Sequence, residues 1–573
     1  MNKTPQTSED LPVRIAFLNI DMGRERTGVE NSSLRRATLF TRALGLPPAI
    51  LTSKYNPFLR EAETELRQAG SVPREVPLHN MYDDFQDAGS FDPSRHDAAA
   101  LVRPDQYPEL NWVAVAVAPD HRVLDSDGTL VMYVVRDRTT RQLSYVNHFR
   151  DRRKWRRDVY DCRRFLSRIQ FLAGPGSEVT QELYLRPDGT TAIIKTFRES
   201  GGKRELDLIQ LVARNGQLIR TFPREADLIE YWLSCYIARD DARHVFIVDK
   251  NRVFYEPAIR LEERQADPSR VKVVPVIHAI HTTSHTQTVT GRLNSNYTAI
   301  LNDLSRPDAL VTLTQAQRED ILSRFGNAPV LAIGHSYDSS VPRGDFSARD
   351  RCKVVYLARY SPEKRHDLAI RAFRKVVDRV PQATLHCYGL GNPSGPLLTN
   401  LRNLVAELDL AGSVHLHGWT SDGPNIYEAS GMSISSSQAE AFPLALMESL
   451  FHGCPIVAFD VPYGPRELVR QAETGFLVPF ADEEAFADRV ATILENEALH
   501  RDMSEAARRD AGRFAMRHTA DLWRDLLNRL FRGEEDKRLA PAPRQSGAAP
   551  GSHGSGASGA MHRLYSADTP CQQ

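Results

Sequence analysis

Apolar runs of strand length alternate with amphipathic segments near the start of the chain. The run "VRIAFLNI" from Val13 is followed by a polar turn containing Gly28, by the amphipathic segment "SSLRRATLFTRALG", and by a second apolar run, "PPAILTS". Short apolar runs predict buried strands, and apolar positions three and four residues apart predict a helix, here ended by Gly45. This β-loop-α-β order is typical of the start of a doubly wound parallel sheet.

The pattern changes between residues 81 and 222, where three hairpin signals follow one another. In each, two runs of alternating apolar and polar residues are joined by a turn pair that favours tight turns between antiparallel strands. The pairs are Asp127-Gly128, Asp188-Gly189 and Asn215-Gly216. We therefore predict an antiparallel β-rich insertion over residues 81–222.

Strand-like and helix-like segments alternate again after this insertion. Their apolar runs include "HVFIVD" and "VKVVPVIHAIH", and later "KVVYLA", "GMSISS" and "PIVAFD". Two open α/β domains are therefore predicted to face each other across a cleft, with ligands bound beyond the carboxyl ends of the strands. The predicted division is a first α/β domain of residues 13–80 and 223–340, a second of residues 341–512, a crossover helix of residues 513–533, and disordered ends of residues 1–12 and 534–573.

Composition and charge narrow the class of protein. The 573 residues are 41% hydrophobic and 25% charged, which is ordinary for a soluble globular protein, and the formal net charge of +0 provides no global field to recruit nucleic acid. The six cysteines are scattered without a CxxC pair, which disfavours a zinc or disulfide framework and suits a reducing cytoplasm. No apolar stretch has the length of a membrane helix and no signal peptide is visible. We expect a cytoplasmic protein, and the basic amphipathic final helix leaves a peripheral contact with the inner face of the membrane open.

The stretch "EAFPLALME" carries the first candidate chemistry, with Glu440 and Glu448 at its ends. It follows the predicted strand "GMSISSS", so Glu440 is expected at the cleft edge of that strand. Pro443 suits the first turn of a helix and Gly453 suits its end, which predicts a helix over about residues 443–452. The amino terminus of that helix can face an anion, and Glu448 can accept hydrogen bonds from a ribose diol. The alternative is that neither residue binds a ligand, with Glu440 an ordinary loop residue and Glu448 an ordinary surface residue of the helix.

Arg359 and Lys364 flank the turn that follows the predicted strand "KVVYLA". A guanidinium, an ammonium and a nearby helix amino terminus together suit a diphosphate. A solvated basic turn is the alternative at this position.

The combination of these features with "HGCPIVAFD", "YGPREL" and "TGFLVPFAD" resembles retaining glycosyltransferases of family 4, which have the GT-B fold. The resemblance implies that Glu440 contacts the transferred sugar and that Glu448 contacts the ribose of the nucleotide. It implies that Arg359 and Lys364 bind the donor diphosphate and stabilise charge on the leaving group. Phe442 and Leu444 are expected to complete the donor site. Many members have Gly-Phe-Gly where this chain has Ala441-Phe442-Pro443.

The segment "TGVENSSLRRATLFTRALGLPPAILTSKYNP" resembles the branch of poly(glycerol-phosphate) α-glucosyltransferases and of teichoic-acid and adhesin α-N-acetylglucosaminyltransferases. This resemblance implies that the insertion serves oligomerisation, giving a homo-oligomer, or acceptor binding. It also implies that the Gly28 loop lies near the donor phosphates, where glycine allows close backbone approach. No metal and no cofactor are expected, since basic side chains and helix dipoles neutralise the diphosphate.

The stretch "VIHAIHTTSH" holds His278, His281 and His285. A metal site is disfavoured because no carboxylate or cysteine ligand stands at suitable spacing. His278 ends a predicted strand at the cleft, and the resemblance implies a histidine near the transferred sugar and the acceptor. We favour His278 as the catalytic histidine and assign His281 to the acceptor, while His285 is expected in a loop.

The predicted activity is the retaining transfer of glucose or N-acetylglucosamine from a UDP-sugar to a hydroxyl of a polyol-phosphate polymer, a protein or another glycan. This is a nucleotide-sugar-dependent hexosyltransferase. Two alternatives stay open. One is a non-catalytic partner subunit or chaperone of a glycosylation complex. The other is a polyanion or RNA binder that uses the basic, aromatic-rich residues 150–168, for which a solvated basic helix or an oligomer contact is the plain interpretation.

Overall fold

The computed structural model describes residues 12–89, 91, 102–338, 346–420 and 422–531. The termini predicted to be disordered lie outside these ranges, apart from Pro12. No helix of the described residues combines the length and apolar character that crossing a membrane requires.

The chain begins with the predicted β-loop-α-β order. The first helix, α1 (Gly28–Leu39), continues into a π-helical turn, Phe40–Leu44, which Gly45 ends in the left-handed conformation, φ 69°. This first part contains β1 Val13–Asn19, α1 Gly28–Leu39, β2 Ala49–Thr52, α2 Leu59–Gln68, β3 Leu78–Asn80 and α3 Met81–Phe85.

The predicted antiparallel insertion is a ten-stranded meander in which each strand pairs with the next. The predicted turn pairs join consecutive strands, and Gly128, Gly189 and Gly216 each have a positive φ. Its strands are β4 Asn111–Ala114, β5 His121–Leu124, β6 Leu130–Arg136, β7 Leu143–Arg150, β8 Arg153–Tyr160, β9 Leu166–Ala173, β10 Glu178–Leu185, β11 Thr191–Ser200, β12 Lys203–Val212 and β13 Leu218–Phe222.

The helix interpretation of the basic segment was wrong. Residues 153–160 form β8, which pairs on one side with β7 and on the other with β9. Arginine and lysine are compatible with either structure, and the hydrogen bonds of two neighbouring strands decide this one.

The first α/β sheet resumes after the insertion and becomes seven-stranded and parallel, in the order β17-β16-β15-β14-β1-β2-β3. Because β1 connects outward to β2 while β14 connects outward to β15, the strand order reverses between β1 and β14. Ligands bind at such a switch point. The resumed elements are α4 Glu225–Ile237, β14 Arg243–Val248, α5 Asn251–Glu263, β15 Val271–Ile277, α6 Thr298–Leu301, β16 Leu310–Thr312, α7 Gln315–Phe325 and β17 Val330–Ala332.

The second sheet has six parallel strands in the order β20-β19-β18-β21-β22-β23, with its switch point between β18 and β21. The helix predicted over residues 443–452 is confirmed as α11. The elements are β18 Asp350–Leu357, α8 His366–Arg379, β19 Thr384–Tyr388, α9 Pro396–Glu407, β20 Val414–His417, α10 Gly423–Glu428, β21 Ser430–Ser435, α11 Leu444–Phe451, β22 Ile456–Phe459, α12 Gly464–Leu468, β23 Gly475–Val478, α13 Glu483–Glu495, α14 Glu497–Asp510 and α15 Met516–Phe531.

Helix α15, within the predicted crossover helix, packs back onto the first domain. The Trp523 ring meets the Phe40 ring edge-on with centroids 5.4 Å apart. One apolar core includes Phe17 and Phe40 from the first domain, Phe442 and Leu450 from the second, and Trp523. The two sheets are therefore joined by buried apolar contact on one side of the cleft.

Candidate active site

A cleft of about 390 Å³ lies beyond the carboxyl ends of strands from both sheets, where the two switch points face each other. Its lining combines loops that follow β1, β14, β15, β17, β18 and β21. Most of the residues predicted from sequence line it: Gly28, His278, Arg359, Lys364, Glu440, Phe442 and Leu444, together with the unpredicted Lys250 and His335.

Lys364 and Glu440 form an ion pair on the second-domain side of the cleft. The Lys364 Nζ lies 2.5 Å from Glu440 Oε1, and the Ser437 hydroxyl donates to the same oxygen at 2.8 Å. The Glu440 backbone is also fixed, because its N–H donates to the carbonyl of Pro462 at 2.9 Å. A fixed carboxylate beside an ammonium can accept a sugar hydroxyl while the ammonium faces a phosphate.

The motif "YGPREL" has a packing role at this point. The backbone N–H of Gly464 donates to the Glu440 carbonyl at 2.8 Å. A side-chain carbon added to Gly464 would lie 2.3 Å from Pro443 Cδ and 2.8 Å from Phe442 Cα. Glycine at this position therefore permits the close approach that holds the Glu440 loop.

Arg359 lies two residues beyond β18, as predicted. Its Nη2 contacts Glu363 Oε1 at 3.1 Å, and half of its side-chain surface (50%) is exposed. An exposed ion pair of this kind contributes little stability, so the guanidinium can reorient toward an anion in the cleft at little cost.

Glu448 lies in the second turn of α11 and is not among the residues that line the cleft. Its Oε1 accepts a hydrogen bond from Arg35, which belongs to α1 of the opposite domain. The Arg35 guanidinium also lies over the Tyr337 ring, 5.1 Å from its centroid. The sequence reasoning missed Arg35, because nothing in "SSLRRAT" distinguishes an arginine at the cleft from a surface one.

His278 is held by a buried carboxylate. Its Nε2 lies 2.8 Å from Asp249 Oδ1, and Asp249 also accepts from Asn19 at 3.2 Å and from Arg36 at 2.6 and 2.5 Å. Burial by itself would raise the pKa of Asp249, but the charges and hydrogen bonds of Arg36 and His278 hold that pKa well below its usual range. Asp249 is therefore an anion that orients the His278 ring.

Asp249 was not predicted from sequence, although a signal for it existed. It stands directly after β14, and Asn19 ends β1, so both lie at the first switch point. The rule that selected His278 at the end of a strand would have selected both.

His335 follows β17 and stacks on His278, with ring centroids 6.0 Å apart and 14° between planes. The rings of His335 and Phe442 are nearly perpendicular, with their centroids 5.3 Å apart. Burial holds the pKa of His335 well below its ordinary value, so the ring is neutral near pH 7. The same end-of-strand signal would have pointed to it.

Gly28 begins α1 at the first-domain edge of the cleft. The preceding Thr27 donates its N–H to Glu30 at 2.9 Å, and Lys250 pairs with Glu30 at 2.5 Å. A side-chain carbon added to Gly28 would meet no atom within 4 Å. The neighbouring space is therefore open to a ligand, and the Lys250–Glu30 ion pair lies beside it.

His281 is placed differently from the prediction. It has 0% exposure and is not part of the cleft lining. Its ring stacks on Tyr463, whose hydroxyl lies 3.5 Å from His281 Nδ1, and burial lowers the pKa of His281 to about 4. A buried side chain cannot reach an acceptor in this conformation, because the loop after β15 turns inward. His285 lies in the same loop, with its ring against Phe480.

Within the described ranges, no group of three or more His, Cys, Asp or Glu side chains is arranged to hold a metal ion.

Comparison with known proteins adds a family match. Residues 344–510 match the family model described as glycosyl transferases group 1. An exopolysaccharide phosphotransferase of Streptomyces coelicolor is 34% identical over 236 residues, which cover 40% of this chain and 24% of that relative. The chain thus spans about a quarter of that relative's length.

Two relatives align over most of the chain. The poly(glycerol-phosphate) alpha-glucosyltransferase of Bacillus subtilis is 21% identical over 88% of this chain and 73% of its own length. The poly(ribitol-phosphate) alpha-N-acetylglucosaminyltransferase of Staphylococcus aureus is 21% identical over 90% of this chain and 99% of its own length.

Solved structures share the fold at low sequence identity. TarM has a TM-score of 0.75 at 19% identity, covering 91% of this chain and 99% of that one. The pneumococcal O-GlcNAc transferase GtfA, in complex with UDP and GlcNAc, has a TM-score of 0.74 at 17% identity, covering 91% and 100%. The chain therefore has the GT-B fold, with two Rossmann-like domains and an antiparallel insertion, and its residues 344–510 match the model of glycosyl transferases group 1.

Proposed function

We propose that this chain is a retaining glycosyltransferase of family 4. It transfers glucose or N-acetylglucosamine from a UDP-sugar to a hydroxyl of a polyol-phosphate polymer, a protein or another glycan. The observation that carries the proposal is the convergence of Lys364, Glu440, Arg359 and His278 on one cleft between two switch points. The names of the relatives supply the substrate classes.

The donor would lie along the second domain. Arg359 and Lys364 bind the diphosphate and stabilise the negative charge that grows on it as the sugar leaves. Glu440 accepts hydrogen bonds from the transferred sugar, and Glu448 accepts them from the ribose. Phe442 and Leu444 supply apolar contact. The open space at Gly28 admits phosphate oxygens. Because Arg359 and Lys364 neutralise the diphosphate, no metal ion is needed.

The transfer itself would take place on one face of the sugar. The bond between the anomeric carbon and the phosphate oxygen breaks, and the acceptor oxygen bonds to the same face. The departing phosphate takes the proton of the acceptor hydroxyl. The α-configuration is retained because the new bond forms on the face from which the phosphate departs. His278, oriented by Asp249, lies on the first-domain side of this reaction and contacts the sugar.

The partners follow from the same assignment. A cytoplasmic enzyme of this kind meets its donor in solution and its acceptor at the inner face of the membrane. The ten-stranded insertion is the proposed contact between subunits of a homo-oligomer.

The test is Glu440→Ala, measured as UDP-sugar hydrolysis and as transfer. We expect kcat to fall at least a hundredfold, on the order of 3 kcal/mol of transition-state stabilisation. Glu484→Ala is the matched control, since its side chain is 80% exposed on α13. Thermal stabilisation by a panel of uridine and guanosine sugar nucleotides identifies the donor first.

The result also separates the alternatives. A non-catalytic partner subunit would turn over no sugar nucleotide even as wild type. An RNA binder would show salt-dependent RNA binding that survives Glu440→Ala. A wild type that turns over no sugar nucleotide, with or without RNA binding, would replace the proposed function.

A further inference from the structure

The hairpin of β7 and β8, here called the basic hairpin, carries positive charges that the proposed chemistry does not use. Its cationic side chains are Arg150, Arg152, Arg153, Lys154, Arg156 and Arg157. Among the described residues only Arg156 has a carboxylate partner, Asp158, at 2.6 and 2.9 Å. The other cations therefore repel one another without a neutralising group.

Cations without a carboxylate partner lie on both faces of the basic hairpin. β8 has one extra residue where it pairs with β7, so the alternation of its side chains shifts between Lys154 and Arg156. The register therefore places Arg150 and Arg153 on the face of the neutralised Arg156, and Lys154 and Arg157 on the opposite face.

Aromatic rings and an amide hold two guanidinium groups on this hairpin. Arg150 lies over the Trp155 ring at 4.8 Å, and Arg157 lies over the Tyr145 ring at 4.8 Å. Arg157 also donates to Asn147 Oδ1 at 2.8 Å. A guanidinium oriented by a ring keeps N–H groups available for the oxygens of a phosphate.

The turn of the hairpin is built without glycine. Asp151 and Arg152 have φ of 50° and 60°, in the left-handed region where Asn-Gly or Asp-Gly is usual. An arginine at the second position costs conformational energy that glycine would avoid. The tip of the hairpin therefore carries a cation, Arg152, at a position where glycine would be less strained.

The opposite end of β7 adjoins the loop that follows β1. Hydrogen bonds from Thr140 and Thr139 lower the pKa of Asp137 in the β6–β7 turn, and the positive charge of the nearby Arg24 adds to the effect. Arg24 belongs to the loop after β1 that continues into the cleft residues Thr27 and Gly28. The eight residues of β7 span about 25 Å. The basic tip therefore stands roughly 25 Å along the strand from that loop.

We propose that the basic hairpin binds the anionic backbone of a polyol-phosphate acceptor chain while a hydroxyl of another repeat of that chain occupies the cleft. The proposal rests on the proposed function. A polymer with one negative charge per repeat complements a row of cations, and its length spans the separation that a single repeat cannot. RNA is disfavoured because Arg150 already covers the Trp155 ring, which removes that ring as a stacking platform for a base.

The experiment uses the full chain with Arg150, Arg152 and Arg153 each changed to Gln. These three side chains are exposed and form no ion pair with other described residues, so the fold should be retained. Binding to poly(glycerol phosphate) is measured without donor, over a series of salt concentrations. We expect affinity to fall at least tenfold at low salt. The slope of log K against log salt should flatten by about two, since each lost phosphate contact removes about 0.7.

Two further readouts make the result specific. Transfer to a long polymer should show a raised KM, while transfer to a single-repeat acceptor and UDP-sugar hydrolysis stay at wild-type rates. The matched control changes Arg489, Arg501 and Arg509 to Gln, three exposed side chains of α13 and α14. That control should bind polymer like the wild type.

The proposal is overturned if the Arg150/Arg152/Arg153 variant binds the polymer as the wild type does, or if the control weakens it equally. It is also overturned if the wild type binds single-stranded RNA through these residues but not the polymer. A wild type that binds polymer yet transfers no sugar would count against the proposed function and leave this site standing.

Discussion

Asp249→Asn tests whether the buried carboxylate that contacts His278 stabilises the fold and supports catalysis. Asp249 and its partner Arg36 are both buried, and Arg36 donates to both carboxylate oxygens. Asparagine keeps the shape but removes the charge that neutralises Arg36. Breaking a buried pair by removing one partner costs about 3–5 kcal/mol, so the free energy of unfolding should fall by that amount.

The pH dependence follows from the lowered pKa of Asp249. A carboxylate whose pKa is lower in the folded state stabilises the protein above its unfolded pKa, about 3.9, and this stabilisation is lost as pH falls through the folded value. The wild type should therefore lose this contribution below about pH 4. The variant, which has no such group, should show a smaller loss over that range in chemical denaturation.

Activity should fall as well, through His278. An asparagine amide can donate to Nε2 as readily as accept from it, so the tautomer of the ring is no longer fixed. Losing one hydrogen bond to a charged group, about 1.5–3 kcal/mol, corresponds to a fall in kcat of about 10- to 100-fold with KM for the donor little changed. Steady-state transfer to a small acceptor, corrected for the folded fraction, measures this.

Asp158→Asn is the matched control, because Asp158 is also a buried carboxylate held by an arginine, Arg156, and a histidine, His148. It lies in the insertion, so it should lower stability without changing kcat for a small acceptor. An Asp249→Asn variant whose free energy of unfolding is unchanged and whose kcat stays within twofold of the wild type would refute this role of Asp249.

Two further predictions concern the donor site and the domain contact. Glu448→Gln should weaken UDP binding about 10- to 100-fold in calorimetric titration, because hydroxyl hydrogen bonds to a charged carboxylate contribute about 1.5–3 kcal/mol; an unchanged Kd would remove the ribose role. Trp523→Ala should lower the free energy of unfolding by about 3–5 kcal/mol, since the ring is buried against Phe40. Leu522→Ala, 46% exposed, is the neighbouring control and should change it by less than 0.5 kcal/mol, so equal losses would contradict the packing role of α15.

Much of the architecture could be predicted from the chain alone, because it depends on local patterns. Each of these patterns expresses a preference of a few neighbouring residues. They are the apolar runs of strand length, the turn pairs that end at Gly128, Gly189 and Gly216, and Pro443 and Gly453 at the two ends of α11. Strand ends then indicated where Glu440, Arg359 and His278 would lie, since parallel strands end at one edge of a sheet.

The partners of those side chains depended on tertiary structure. Arg35 reaches Glu448 from 413 positions away along the chain, and Arg36 reaches Asp249 from 213. No local pattern carries such pairings. His281 was assigned to the acceptor because the family resemblance implies a histidine there, but the loop after β15 turns its ring against Tyr463.

Local sequence therefore determined which elements form and which residues stand at their cleft ends. The three-dimensional packing of the two sheets decided which of those residues meet, which are buried, and which charges neutralise one another. The physical reason is that strand and helix preferences act over a few residues, whereas ion pairing and burial depend on distances that exist only once the sheets have packed together.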